Sequence, residues 1–168
     1  GTLTDSGTLT ISDVDDGEDV FTAQTAAAST GGYGTVDLDA AGNWTYTLEN
    51  ADPAVQALPN GATLQDQATV TSLDGTSHVI TLTITGTNDV PTIETSDGND
   101  AGAVTEAGHE DDGTEIPGTD SASGTVSSAD VDADATATWS ITDETPDATY
   151  GTFALNSETG EWTYALNN

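Results

Sequence analysis

Carboxylates define the chemistry open to this chain, and they come in tight groups. Asp13, Asp15 and Asp16 sit in SDVDDGED, Asp130, Asp132 and Asp134 in ADVDADA, and Asp89 beside Asn88 in GTNDVP. In an extended segment, side chains two residues apart project to one side about 7 Å from each other, at ~3.3 Å rise per residue. Asp13 with Asp15, and Asp130 with Asp132, can therefore offer oxygens to a single hard cation, which for calcium needs roughly 6 to 8 of them. The competing reading is an Asx turn, in which each side chain accepts from a nearby backbone N–H. Asp66, Asp74 and Glu106 are further acids expected in loops and join the candidate ligand set.

The balance of charge points the same way. Thirty Asp and Glu face no Lys and no Arg, for a formal charge of −30. Ordinary domains carry both signs. Nucleic acid and anionic bilayers would be repelled, so neither is an expected partner. The self-repulsion calls for screening by salt or neutralisation by bound cations, and oxygen-only clusters suit calcium. Cysteine is absent, which excludes disulfides and thiolate metal sites. No hydrophobic span, signal peptide or initiator Met is present, and the expectation is an interior fragment of a longer protein.

The elements that must position these acids repeat. SGTLTISDVD from Ser6 matches SGTVSSADVD from Ser123 at an offset of 117, and YGT at Tyr33 matches YGT at Tyr150 at the same offset. GNWTYTLEN ending at Asn50 matches GEWTYALNN ending at Asn168 at 118, so one residue has entered the turn between. Solenoid units repeat every 20 to 50 residues or so; a period of roughly 100 is a whole β-sandwich domain. The pattern predicts an all-β protein of tandem sandwiches, residues 1–90 and 91–168, both incomplete in this fragment.

Period-two runs supply the strands. They are expected at 8–11, at 34–38 and 43–48 around Ala40-Ala41-Gly42, and at 68–73 and 78–84 around Asp74-Gly75. In the second copy they are expected at 91–93, 103–105, 125–126, 138–141, 152–155 and 162–166. Named A to G, the strands of the first domain run B to G and those of the second A to E. Antiparallel succession then sorts the loops into two ends. Asp13, Asp15, Asp16 and Asp74 fall at the leading end of the first domain, Asp66 and Asn88-Asp89 at its trailing end. Asp130, Asp132 and Asp134 fall at the leading end of the second, and Glu106 at its trailing end.

Carried by SDVDDG and ADVDAD, YGT with G-x-WTY-x-L, AVQALPNGATLQD, and ATVTSLDG running to TLTITGTNDVP, the chain resembles the VCBS repeat family of large bacterial RTX-type surface adhesins and, more distantly, cadherin repeats. The resemblance implies immunoglobulin-like sandwiches, calcium between domains, and a stalk or adhesive role at the bacterial surface or in secreted form. Neighbouring repeats of the same chain are the implied partners, with strand exchange between copies as a further possibility and a host surface or glycan as ligand. The 109–121 acidic insertion has no assigned counterpart.

Other chemistries find less support. The segment from Asp37 imitates the start of an EF-hand loop, but Ala41 and Leu48 occupy ligand positions. Gly31 to Thr35 begins like an RTX nonapeptide, yet Val36 replaces its Asp. Trp44 with Tyr46, and Trp162 with Tyr164, share one strand face with Leu48 and Leu166, the pattern of a sandwich core more than of a sugar platform. His78 and His109 have no triad partners at recognisable spacing, and no nucleophile, base and oxyanion set converges, so no enzyme is expected. The sequence-level reading is a calcium-stiffened extender of an adhesin; the alternatives are a glycan- or surface-binding module and an accessory domain of an extracellular enzyme.

Overall fold

A computed structural model describes residues 3–15, 17–94, 99–142 and 149–167. The chain is nearly all β, built from antiparallel sheets. It divides into two compact units, Gly1–Asp89 with Val131–Asp134, and Val90–Asp130 with Ala135–Asn168.

The first unit is sandwich-like. One layer is a four-stranded sheet of β1 (Thr4–Thr8), β2 (Gln24–Ala28), β3 (Gly34–Leu38) and β4 (Asn43–Leu48), in the order β1-β4-β3-β2. A single turn of helix, α1 (Pro53–Gln56), follows; Asp52 caps it by accepting from Ala54 N at 2.8 Å, and Pro53 fits where a helix has no N–H to satisfy. The other layer is the hairpin of β5 (Thr63–Thr71) and β6 (Ser77–Thr85), in register over all nine pairs from Thr63↔Thr85 to Thr71↔Ser77. Side chains alternate across each strand. Asp66, Ala68 and Val70 of β5 and Ile80, Leu82 and Ile84 of β6 are therefore buried on one face. Val36, Leu38 and Tyr46 oppose them, and Phe21 closes the core. Burial of each such aliphatic side chain contributes about 1.5–3 kcal/mol.

The second unit holds a three-stranded sheet of β10 (Ser121–Thr125), β12 (Gly151–Leu155) and β13 (Glu161–Leu166), in the order β10-β13-β12. β7 (Thr92–Glu94) pairs with β11 (Ser127–Ala129). The acidic insertion folds into a small hairpin of β8 (Gly108–His109) and β9 (Glu115–Ile116).

The repeat is realised bond by bond. Leu38↔Trp44, Val36↔Tyr46 and Gly7↔Trp44 in the first sheet become Leu155↔Trp162, Phe153↔Tyr164 and Gly124↔Trp162 in the second. Leu9 N donates to Gly42 O at 2.9 Å, and Val126 N to Gly160 O at 3.0 Å. Phe21 N donates to Ala40 O at 3.0 Å, and Trp139 N to Ser157 O at 2.9 Å. Both turns end on a glycine in the left-handed region, Gly42 at φ 88° and Gly160 at φ 73°, which other residues rarely adopt. The turn before Gly160 holds the extra residue. In the first copy Asp39 braces the turn, accepting from Asn43 N and Nδ2 at 2.8 Å each, and these bonds hold its carboxyl below the usual range.

Several expected elements moved. The first strand ends at Thr8 because the Leu9 N–H turns to Gly42; Leu9 and Ile11, read as strand residues, pack against the core from a loop. β5 starts five residues before the expected Ala68. The segments 103–105 and 138–141 are not strands, apart from an isolated bridge between Thr105 and Thr119. Trp139 instead lies over Gly160. β2 was not anticipated: its Ala-rich sequence carries a left-handed Ala26 at φ 46°, held by a bond from Ala26 N to Asp37 Oδ1 at 2.9 Å.

Candidate metal centre

Residues 13–15, 17 and 18 form a tight acidic loop. Asp15 N donates to Asp13 Oδ1 at 2.9 Å, an Asx turn, and Glu18 N reaches Asp15 O at 3.4 Å after Gly17 reverses the chain at φ 87°. The turn and the ligand reading are thus compatible: folding the turn gathers the acids. Carboxylate oxygens of Asp13, Asp15 and Glu18 all lie within 4.8 Å of one another, and among the described residues no other acidic trio meets that condition. Three carboxylates with no Lys or Arg anywhere in the chain make a group that can hold a metal ion. An all-oxygen set suits a hard cation whose remaining positions are filled by water. Glu18 was missed at the level of sequence; its signal was the Gly17 that turns the chain and returns Glu18 to the two aspartates. Asp16 lies outside the described residues.

A second group forms around Asp132. Val131–Asp134 belongs to the first unit, where Asp132, 9% exposed, accepts the Asp89 N–H on Oδ2 at 2.8 Å. Ala133 N donates to Ala57 O at 2.9 Å, satisfying a carbonyl at the end of α1. Asp134 follows in the left-handed region at φ 60°, and the Asn88 side-chain amide bonds the Asp89 carbonyl. Asp132 thus meets the Asn88-Asp89 segment as an acceptor of its backbone. Asp130 stands immediately after β11, half-buried.

The remaining candidates are placed apart from these groups. Asp66, read as a loop acid, is instead an inward-facing strand residue only 1% exposed. Its Oδ2 accepts from the Tyr46 hydroxyl at 2.8 Å, and its Oδ1 from Gly31 N at 2.9 Å and Gln67 N at 2.8 Å. Burial pushes its pKa up, but the surrounding hydrogen bonds outweigh burial and hold the carboxyl below the ordinary range. The Ser29 hydroxyl lies beside the same carboxylate, yet its proton is directed to Gly34 O at 2.9 Å, so Tyr46, Gly31 and Gln67 are the donors that matter. Burial and the adjacent carboxylate together drive the Tyr46 hydroxyl pKa well upward. This is a structural lock between the two layers, and the surface role expected for Asp66 does not follow from it.

Asp74 belongs to the β5–β6 turn. It accepts from the Ser72 hydroxyl, whose oxygen accepts in turn from Thr76 N at 2.9 Å. The Ser72 bond holds the Asp74 carboxyl below its usual range. Glu106 is exposed beside the Thr105–Thr119 bridge. Of the aromatic pairs, Tyr46 and Trp162 are buried, whereas Trp44 and Tyr164 are half-buried. Trp44 lies against Gly7 and Trp162 against Gly124, where an added Cβ would meet either indole at 2.8 Å. Trp162 also stacks on Phe153 with centroids 5.8 Å apart.

A scan against protein-family models found none that matches this chain, and a search of curated proteins likewise found no match.

Proposed function

We propose that the chain is a pair of tandem immunoglobulin-like, cadherin-like repeats from an extracellular bacterial adhesin, working as a calcium-stiffened extender. The observation that carries this reading is the identity of strand register and of turn and cap hydrogen bonds in two units 117 to 118 residues apart. Repetition of a whole β domain supplies length and leaves catalysis without an obvious place. The resemblance to VCBS repeats agrees with that, and so does a −30 chain in which no side chain is permanently cationic.

Cations would supply rigidity. The Asp13, Asp15 and Glu18 loop has the donor set for calcium. Asn88 and the acids Asp89, Asp130, Asp132 and Asp134 are the residues through which further ions would order the segments around 88–89 and 130–134. An ion bound only by the folded state stabilises it by mass action, by about 2.7 kcal/mol at a hundredfold excess over Kd. Millimolar calcium should therefore raise the melting temperature beyond sodium at matched ionic strength. Magnesium should do so weakly, because it holds its waters and demands a small octahedral shell. In a chain carrying Asp13→Asn, Asp15→Asn and Glu18→Gln, the calcium-specific increment should shrink. Identical responses to calcium and sodium in the parent chain would leave only screening and overturn the reading.

A further inference from the structure

The sheet β10-β13-β12 reproduces a face that, in the first unit, is covered. Val36, Leu38 and Tyr46 are 0%, 3% and 3% exposed beneath the β5–β6 hairpin. Their register equivalents Phe153, Leu155 and Tyr164 are only half-buried. Trp162 is the one buried apolar side chain of the second unit among the described residues.

The tyrosine shows what this face is shaped to receive. A Cβ on Gly34 would strike the Tyr46 ring carbon and hydroxyl oxygen at 2.5 Å, and a Cβ on Gly151 would strike the same two atoms of Tyr164 at 2.3 Å. Each ring is therefore laid across its glycine in the same way. In the first unit that pose delivers the hydroxyl to Asp66 on the covering hairpin. Among the described residues the Tyr164 hydroxyl has no hydrogen-bond partner.

We propose that the β12–β13 face is a docking surface for a two-stranded antiparallel hairpin of the Thr63–Thr85 kind. Such a partner has alternating aliphatic residues on one face and a single inward carboxylate. The aliphatic side chains cover Phe153, Leu155 and Leu166, and the carboxylate accepts from Tyr164. A second whole copy is a poor occupant, since two chains of −30 repel each other, whereas Thr63–Thr85 carries only Asp66 and Asp74. The inference does not depend on calcium.

Asn168 corresponds to Asn50, so the test appends a duplicate of Ala51–Gly86 directly after Asn168 of the full chain and follows amide hydrogen exchange in chelator. Protection of residues 151–155 and 161–166 should rise about tenfold or more over the unextended chain. Changing the appended copies of Ile80, Leu82 and Ile84 to Ser should abolish the gain. Tyr164→Phe should reduce it several-fold in the extended chain while leaving the unextended chain unaltered. The proposal is overturned if the appended residues exchange freely and β12 and β13 are unchanged. It is equally overturned if the unextended chain self-associates, by sedimentation, and protects the same strands without the hairpin.

Discussion

Two sheets in this molecule share a register and differ in what lies on top of them. In β1-β4-β3 and β10-β13-β12, the same glycine faces the same tryptophan and the same tyrosine lies over the same glycine. Yet Leu38 is 3% exposed while its equivalent Leu155 is half-buried. Strand pairing is thus a property of the local repeat, and burial is a property of the second layer. The comparison also separates two kinds of acid. Asp66 is drawn into the first unit because a hairpin carries it there, whereas Asp13, Asp15 and Glu18 collect in a loop that needs no second layer.

The largest contrast should come from the aliphatic pair. Leu38→Ala removes a packed side chain and should destabilise the first unit by about 2–5 kcal/mol. Leu155→Ala should cost less, because that side chain is only half-buried and part of it is already in water. Denaturant unfolding followed by residue-resolved exchange separates the two units; equal losses would mean the second layer contributes little.

The tyrosines sharpen the comparison next. Tyr46→Phe leaves a buried carboxylate short of a donor and should cost about 1.5–3 kcal/mol, the range for bonds to charged groups. Tyr164→Phe should stay within about 0.5 kcal/mol, as for a side chain with no partner to lose. The lock also predicts a pH dependence confined to the first unit. The Asp66 carboxyl is held below its ordinary value of 3.8, so its stabilisation is present above that pH and is lost as pH falls through the lower folded value. The Tyr46 hydroxyl is held above its ordinary value of 10.0, so stability is full below that pH and declines as pH rises past it. Asp66→Asn should flatten the acid limb. An unchanged acid profile in that variant would place the titrating group elsewhere.

The smallest expected contrast is between the glycines. Gly7→Ala drives a methyl into the Trp44 indole at 2.8 Å and should cost about 1–3 kcal/mol. Gly124→Ala meets the Trp162 indole at the same 2.8 Å and also, closer still, the Asn99 backbone carbonyl, so its cost should be the larger of the two. Equal melting curves for the two variants would show that the Asn99 carbonyl gives way freely.

Much of the molecule was legible in the chain alone. The two copies, the strands at 34–38 and 43–48, their counterparts around 152–155 and 162–166, the turn at Gly42 and the added residue before Gly160 all follow from matched spacing and period-two alternation. So did the inward set Ile80, Leu82 and Ile84, and the pairing of Asp13 with Asp15. These are local properties, set by dihedral preference and side-chain alternation over a few residues.

Tertiary structure decided the rest. The start of β5 in TLQDQ reads as polar loop, and only donors from the facing side, Tyr46 and Gly31, added to the adjacent Gln67 N–H, make burial of Asp66 tolerable. β2 has weak strand propensity and exists because β3 pairs with it and Asp37 holds its bulge. Loop parity had already set Asp132 opposite Asn88-Asp89; that it meets them by accepting the Asp89 N–H was decided by the folded contact. Amino-acid order specifies which residues can face the same side of a strand. Whether that side is dry, and what a carboxylate finds there, depends on the element that folds over it.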